Sequence, residues 1–247
     1  MNPPGSTIAA YDEHADWYNT HMSPDGAGDY VQRVHAALSD LLGPGGGTCL
    51  DVCCGTGAHA DALSRLGWTP VGIDLSHNQL RYATRRLPVA RADATALPLA
   101  DASVPAAVCV LAGTDVPDYA AVLREIARVL KPGGRFVHVG VHPCFVGAFA
   151  DRTDPPRVVV HPTYGDRART YAGGSPQGVR ARVGAWDLPL ADLLNGTAEA
   201  GLHLTRTTEA GPAGAPPDLF AFLATSALPP PRSASLSPSG GAPSGGV

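Results

Sequence analysis

The chain has few charged residues and no excess of one sign that would indicate a polyanionic partner. Only 16% of its 247 residues are charged, and the formal net charge is −4 at pH 7. No basic tail or basic stripe is present, so we expect no binding to nucleic acid or to a membrane surface. The 44% hydrophobic content is typical of a globular chain, and its length allows a substantial core.

Long apolar runs are also missing, and the first residues do not predict a signal peptide. No run approaches the roughly 20 apolar residues that a membrane-spanning helix needs. Residues 1–22, MNPPGSTIAAYDEHADWYNTHM, lack the basic and apolar regions of a signal peptide. We therefore expect a cytoplasmic protein.

The five cysteines do not form a disulfide or zinc framework. Their number is odd and most lie in apolar, strand-like runs, which favours reduced thiols. Cys53 and Cys54 are adjacent, so they cannot provide the C-x₂₋₄-C spacing of a zinc ribbon. We expect no metal site, and a functional thiol at this pair is a minor alternative.

The chain alternates between strand-like and helix-like segments. Apolar stretches such as TCLDVCC and TPVGIDLS are each followed by a helical pattern, and Ser76 is placed to cap the second of these helices. This alternation predicts an α/β, doubly wound, Rossmann-like domain with a mostly parallel sheet covered by helices on both faces.

The two ends and one internal stretch depart from this rhythm. Residues 1–10 and 229–247 are rich in Pro, Gly and Ser, which predicts a flexible N-terminus and a disordered tail around a domain of residues 11–228. Within that domain, residues 11–42 have a helical pattern, and residues 143–185 predict an irregular insertion after the fifth strand, on the substrate side.

Three loops at the carboxyl ends of predicted strands carry residues suited to a nucleotide-like ligand. In LDVCCGTGAHA, Gly55 and Gly57 allow a tight turn against a ligand. Asp74 can accept hydrogen bonds from ribose hydroxyls, or it can cap a helix. Asp93 can accept from an adenine amino group, or it can cap its own loop. The glycines with Asp74 also fit an NAD fingerprint, so an NAD(P)-binding oxidoreductase is one alternative.

Four motifs together are more specific. LDVCCGTG, VGIDLS, ARADATALPLADASVPAAV and LREIARVLKPGGRF, in this order, resemble the class I S-adenosylmethionine-dependent methyltransferases, most closely the UbiE-like small-molecule methyltransferases. The resemblance runs from about residue 11 to 226 and is strong over 49–140. It implies a seven-stranded sheet whose last strand is antiparallel at the sheet edge, N-terminal lid helices, and S-adenosyl-L-methionine as cofactor. KPGG at 131–134 would be the turn before the fifth strand.

The same resemblance implies the reaction. A methyl group would pass by in-line displacement to an oxygen or nitrogen of a small-molecule acceptor, a chemistry common in secondary metabolism. A protein of this fold that binds the cofactor but catalyses another reaction, such as a cyclisation, is the second reading, and a non-enzymatic binding module is the third. Both a monomer and a homodimer are compatible with the sequence.

The resemblance also assigns the cofactor contacts. Asp51 would bind the methionine amino group, Asp74 the ribose hydroxyls, and Asp93 with the Ala94 N–H the adenine. The family usually has glycine at the position of Cys53. Further cofactor contacts are expected from Tyr11, Tyr18, Cys53, Gly55, Gly57, Leu75 and Leu111.

Transfer to a hydroxyl or amine depends on alignment and benefits from a general base. His142, at the end of the fifth strand, and His138, which shares its parity, are the catalytic candidates together with Asp115. Thr114 and His161 are candidate substrate contacts. Further possibilities are His14 and His21 in the lid and an anion-binding role for Arg152, Arg157, Arg167 and Arg169, although solvated charge explains these arginines equally well.

Overall fold

The computed structural model describes residues 7–172 and 178–227, so the predicted tail at 229–247 lies outside the described residues. Two helices open the chain, α1 (Thr7–His21) and α2 (Pro24–Leu42). Helix α1 starts inside the segment that was expected to be flexible, which corrects that boundary. In α2 the residues that recur every three to four positions are buried against the sheet: Val31, Val34, Leu38, Leu41 and Leu42.

The alternating part of the chain forms the predicted sheet and its covering helices. Each helix returns the chain to start the next parallel strand. The elements are β1 (Thr48–Val52), α3 (Ala60–Arg65), β2 (Thr69–Asp74), α4 (His77–Ala83), β3 (Val89–Arg91), β4 (Val104–Val110), α5 (Tyr119–Val129) and β5 (Leu130–Val141).

The remaining chain forms the predicted insertion and the last strands. The insertion is irregular, with short two-residue strands and small helices, and the chain then resumes one long helix and two long strands. These elements are β6 (Ala150–Asp151), β7 (Val159–Val160), a 3₁₀ helix (Pro162–Gly165), β8 (Arg169–Thr170), α6 (Val179–Val183), β9 (Ala185–Trp186), α7 (Leu190–Glu199), β10 (Leu202–Ala210) and β11 (Leu219–Ser226).

The seven-stranded sheet has the order β10-β11-β5-β4-β1-β2-β3. Strands β1 to β5 pair in parallel, and β11 is antiparallel to both of its neighbours, which confirms the predicted fold class. The antiparallel last strand is not the edge strand, however. It lies between β5 and β10, because its residues are mostly buried whereas those of β10 are mostly exposed.

The core lies on both faces of the sheet. Side chains alternate along the strands, so neighbours such as Phe136 and Val137 in β5 belong to opposite layers. One layer packs against α5 and α7, and the other packs against α2 and α3. In the part of the chain that the structure describes, no helix is long and apolar enough to cross a membrane.

The helix caps show which polar side chains have a structural role at a helix start. The Gln79 N–H donates to Ser76 Oγ at 3.2 Å, as predicted for the cap of α4. Helix α5 is capped by Asp118, whose Oδ1 accepts from the Ala121 N–H at 2.9 Å. Asp115 is therefore not needed as a cap.

KPGG lies inside β5 rather than before it. Leu130 pairs with Val104 and Arg135 pairs with Ala106, so the residues between them form a bulge in the ladder. Gly133 has a φ of 73°, a conformation that glycine adopts without strain. The motif thus has a structural role, as expected.

Candidate functional site

A cavity of about 530 Å³ opens at the carboxyl ends of β1, β2 and β4; we call it the cofactor cavity. Its position is the one at which open α/β sheets bind ligands, and its size suits a small molecule. Most of the predicted cofactor contacts lie in its wall: Tyr11, Tyr18, Cys53, Gly55, Asp74, Leu75, Asp93, Ala94 and Leu111.

Asp74 is held in place by the backbone of two loops. The Gly55 N–H donates to Asp74 Oδ2 and the Ser76 N–H donates to Oδ1, both at 2.8 Å. Gly55 has a φ of 54°, and a Cβ there would lie 2.7 Å from Gln79 Oε1, so this position requires glycine. Burial raises the pKa of Asp74, and the two N–H bonds partly oppose that rise. Each oxygen retains a lone pair for a ligand hydroxyl.

Asp51 lies buried in β1, outside the wall of the cofactor cavity. Only 1% of it is exposed, and neither carboxylate oxygen has a hydrogen-bond partner among the described residues. Burial, and then the charge of Asp74, raise the pKa of Asp51 to about 7. An unpartnered buried carboxylate is costly. The residue therefore fits a bound ammonium group, which is the role that the resemblance implies.

Two residues in the wall of the cofactor cavity have strained backbones. Cys53 has a φ of 60° and Leu111 a φ of 59°, in the left-handed region that side chains disfavour by about 1–2 kcal/mol. Glycine adopts this conformation freely. This explains why glycine is usual at the position of Cys53 in the family, and why the substitution keeps the loop shape at some cost.

Two predicted contacts differ in the structure. A Cβ on Gly57 would lie 2.7 Å from Leu87 Cδ2 and 3.3 Å from Ala83 Cβ, so this glycine allows close packing behind the loop and does not line the cofactor cavity. Asp93 lines the cavity, but its Oδ1 accepts from the N–H and the hydroxyl of Thr95, at 2.8 and 2.7 Å. Asp93 therefore also caps its own loop.

A second cavity of about 200 Å³ lies behind Tyr11 and Tyr18; we call it the acceptor chamber. It shares Tyr11, Tyr18, Leu111 and Asp115 with the cofactor cavity. The predicted contact Thr114 also lies here. The rest of its wall comes from α1 and α2, the end of β5 and the insertion: His21, Met22, Tyr30, Val141, Val146, Gly147, Gly178, Val179, Arg180 and Ala185.

Asp115 stands in the wall common to both cavities. The Tyr11 hydroxyl donates to its Oδ2 at 2.8 Å. Burial raises the pKa of Asp115 to about 7, although the Tyr11 hydrogen bond opposes the rise. At neutral pH the group is populated in both protonation states, which is the property that a general acid or base needs.

The two histidine candidates do not reach either cavity, which corrects their assignment as bases. Both lie on one face of the sheet, as their parity predicts, but that face is in the core. Nδ1 of His138 lies 2.8 Å from the Tyr119 hydroxyl and its ring stacks on Phe222. Burial lowers the pKa of His138 to about 3, so it stays neutral at physiological pH.

His142 has both ring nitrogens engaged. Its Nδ1 accepts from the Cys144 N–H at 3.1 Å, so the proton lies on Nε2, which is 2.7 Å from Glu209 Oε1. The ring stacks on Phe145 and fixes the start of the insertion. His161 is exposed at the base of the 3₁₀ helix, away from the acceptor chamber.

Some wall residues were missed by sequence reasoning. Gln79 is 3% exposed, lines the cofactor cavity, and its Oε1 has no partner among the described residues. Trp186 lies in the same wall, where its backbone N–H donates to the Thr114 carbonyl at 2.9 Å. Arg180 lines the acceptor chamber. All three lie outside the recognised motif residues, and no local pattern marks them.

The fold, the glycine loop and the three aspartates resemble those of class I S-adenosylmethionine-dependent methyltransferases. Residues 50–138 match the family described as a methyltransferase domain. Over this region the chain is similar to S-adenosylmethionine-dependent methyltransferases, which supports S-adenosyl-L-methionine as its cofactor. The match favours this class over the NAD(P) alternative.

Known proteins support this placement. The chain is 38% identical over 141 residues to a demethylmenaquinone methyltransferase of Staphylococcus saprophyticus, covering 53% of this chain and 54% of that protein. It is 37% identical over 129 residues to a 2-methyl-6-phytyl-1,4-hydroquinone methyltransferase of Synechocystis, covering 46% and 40%. The chain spans about half the length of the curated relatives it matches.

A solved structure supports the fold. An S-adenosylmethionine-dependent methyltransferase from Mesorhizobium loti superposes with a TM-score of 0.61 at 21% identity. The superposition covers 79% of this chain and 96% of that one.

Proposed function

We propose that this chain transfers a methyl group to an oxygen or nitrogen of a small-molecule acceptor bound in the acceptor chamber. The observation that carries the proposal is the Tyr11–Asp115 pair in the wall shared by the two cavities. A group in that wall touches ligands on both sides, so it can act on the acceptor where the methyl group arrives.

The cofactor would be held by residues of the first three loops. S-Adenosyl-L-methionine, when bound, supplies a methyl group activated by its sulfonium. Asp51 would take the methionine ammonium, and Asp74 the ribose hydroxyls. Asp93 and the Ala94 N–H would face the adenine.

The acceptor side supplies proton transfer and exclusion of water. Asp115 would accept the proton that an acceptor hydroxyl or amine loses, and Tyr11 keeps the carboxylate oriented toward the shared wall. Helix α1 closes this wall, since Asp12 accepts hydrogen bonds from the Ser76 hydroxyl and from the Asn78 N–H at the start of α4. Such closure strengthens the electrostatic contacts inside.

The acceptor class is suggested by the walls and by the relatives. Tyr11, Tyr18 and Tyr30 offer aromatic surface to a ring. The two curated relatives described above are named for a menaquinone precursor and a hydroquinone. A compact ring compound, such as a quinol or phenol, therefore suits the acceptor chamber. A cytoplasmic location and a monomeric or homodimeric state remain predictions from the sequence.

The test is methyl transfer from radiolabelled donor to a panel of phenols, hydroquinones and amines. We expect labelled product with the wild type. Asp115→Asn should bind the donor normally by calorimetry yet lose about 10²–10⁴-fold in turnover, the usual range for a general base. Asp154→Asn, an exposed carboxylate paired with Arg157, is the control.

Two outcomes would contradict the proposal at different points. Tight donor binding with no transfer to any acceptor would favour a non-methylating reaction of the same fold. Full turnover by Asp115→Asn would remove Asp115 as the base while leaving methylation intact.

A further inference from the structure

We propose that Arg180 forms an anion subsite in the acceptor chamber, which selects acceptors with an acidic hydroxyl on an aromatic ring and holds them as the oxyanion. This inference rests on the proposed function and names its substrate class. It concerns the insertion, a region for which the methyltransferase motifs assign no residue.

Arg180 is a mostly buried cation in a largely apolar and aromatic wall. It lies in α6, its side chain is only 13% exposed, and it lines the acceptor chamber together with Tyr11, Tyr18 and Asp115. Long charged side chains are almost never buried unless they are paired. Its placement therefore needs an explanation in terms of partners.

These partners hold the guanidinium of Arg180 in place and leave some of its N–H donors for a ligand. Its Nη1 donates to Thr170 Oγ1 at 2.7 Å and to the Ala185 carbonyl at 3.3 Å, and its Nη2 lies 2.9 Å from Asp187 Oδ1. The two hydrogen bonds use two of the five guanidinium N–H donors, and Asp187 adds an ion pair. Because they come from β8, β9 and the residue after β9, the β8–β9 hairpin of the insertion positions the fork rigidly.

The charges around Asp115 favour an acceptor oxyanion. Asp115 accepts a hydrogen bond from the Tyr11 hydroxyl, and its pKa is raised by the charge of Asp74 and lowered by the charges of Arg180 and Arg169. When Asp115 takes up a proton, Arg180 keeps its ion pair with Asp187 but the acceptor chamber loses the negative charge of Asp115. An oxyanion on the acceptor restores that charge.

Proton transfer from the acceptor hydroxyl to Asp115 precedes methyl transfer. The acceptor O–H bond breaks, its proton passes to the Asp115 carboxylate, and the electron pair stays on the acceptor oxygen. The total charge of the acceptor chamber is therefore unchanged. The oxygen then forms a bond to the methyl carbon as the carbon–sulfur bond breaks. The proton on Asp115 returns to water after the methyl ether leaves.

The acidity of the hydroxyl determines which acceptors can follow this route. A phenol has an ordinary pKa of about 10, within reach of a carboxylate raised to about 7 and aided by a fixed cation. An aliphatic alcohol is close in acidity to water, with a pKa of about 15.7, and would stay protonated. An amine becomes cationic when methylated and would be repelled by Arg180.

The experiment uses 4-nitrophenol, whose oxyanion is coloured, as a probe that needs no turnover. The full chain with saturating S-adenosylhomocysteine is titrated with 4-nitrophenol across pH, and the ionised fraction of the bound probe is read by absorbance. We expect the wild type to lower the apparent pKa of the bound phenol by about one unit or more. Arg180→Gln should abolish that shift, and Arg180→Lys should retain part of it.

The control is Arg182→Gln, in the same helix α6, whose guanidinium is exposed and lies over the Trp17 ring. It should leave the shift unchanged. Thermal melting and donor binding show whether each variant is folded. An unshifted phenol on the wild type, or an equal shift in Arg180→Gln, would overturn the inference.

Turnover separates this inference from the proposed function. With a series of phenols of graded acidity, Arg180→Gln should lose about 10²–10³-fold in kcat/KM, the range for loss of an oxyanion donor, and the loss should grow for weaker acids. The acid limb of the pH profile of kcat/KM should also move to higher pH in Arg180→Gln, because removing the cation raises the pKa of Asp115. Methylation of amines in preference to phenols would leave the proposed function standing and refute the anion subsite.

Discussion

The cofactor cavity and the acceptor chamber share a wall but are built in different ways. Most of the wall of the cofactor cavity comes from short loops at the ends of β1 to β4, where backbone N–H groups such as that of Gly55 hold Asp74, and helix α1 adds Tyr11 and Tyr18. The wall of the acceptor chamber draws on segments between residues 11 and 185, and its cation is fixed by an irregular hairpin. The cofactor side thus depends on local loop geometry, whereas the acceptor side depends on long-range packing.

Asp51→Asn should give the largest effect, confined to the cofactor side. Losing a charged partner for the cofactor ammonium should weaken donor binding by about 1.5–3 kcal/mol, or roughly 10- to 150-fold, measured by calorimetry. Binding of 4-nitrophenol in the acceptor chamber should not change. A comparable loss of phenol binding would show that the two cavities are not separate.

The same substitution should change stability in the opposite direction. The folded protein holds the Asp51 proton up to a pKa of about 7, above the ordinary carboxyl value, so ionisation costs folding free energy as pH rises from about 4 to 7. Asp51→Asn removes this cost. Urea unfolding should show a gain for the ligand-free variant that is larger at pH 8 than at pH 5, and an equal effect at both would contradict the assigned ionisation.

Val179→Phe should affect the acceptor side alone. Val179 lines the acceptor chamber, so a larger side chain there should fill space meant for the ring. Overpacking of this kind costs about 1–3 kcal/mol, which predicts a rise of roughly 5- to 150-fold in the acceptor KM or in the phenol Kd. Donor affinity should stay within about twofold, and Val159→Phe, at an exposed position, is the matched control.

Asp12→Ala should weaken both sides modestly, because α1 forms the shared wall. The variant loses the hydrogen bonds from the Ser76 hydroxyl and the Asn78 N–H that hold α1 against α4. We expect losses of about 0.5–1.5 kcal/mol in both donor and phenol binding, and faster proteolysis within α1. Glu13→Ala, exposed on the same helix, should have no effect. A loss limited to one ligand would mean that α1 does not serve both cavities.

Cys53→Gly should have the smallest effect. Glycine relieves the left-handed backbone strain of about 1–2 kcal/mol, but it loses the packing of the thiol against the core and adds chain entropy. We expect a net change in the free energy of unfolding within about 1 kcal/mol and unchanged donor affinity. A large loss of affinity would assign the thiol a direct role in the cofactor cavity.

Sequence reasoning succeeded where a function is encoded within a few consecutive residues. Asp74 and Gly55 lie in the wall of one cavity, as predicted, because strand ends of a parallel sheet meet at one edge, and β1 pairs in parallel with β2 and β4. It was less successful for Gly57, since a glycine that allows ligand contact and one that allows packing look alike in a sequence.

The histidines show the other limit. His138 and His142 lie on the same face of the sheet, as their spacing predicts. The sequence does not show, however, whether that face borders a cavity or the core. Phe222 and Tyr119 cover His138, so of the three catalytic candidates only Asp115 lines the cofactor cavity and the acceptor chamber. Asp115 itself could be separated from a helix cap only when Asp118 was seen to fill that role.

The sequence by itself determined the α/β alternation, the parallel sheet and the loops that carry Asp74 and Asp93 into the wall of the cofactor cavity, because each depends on hydrophobic period and on short loops of fixed spacing. Only the tertiary structure decided which polar side chains share a chamber. Arg180, Tyr11 and Asp115 are brought together by α1 folding back over the sheet and by the insertion closing against the end of β4. Contacts between segments so far apart depend on packing, which leaves no periodic trace in the sequence.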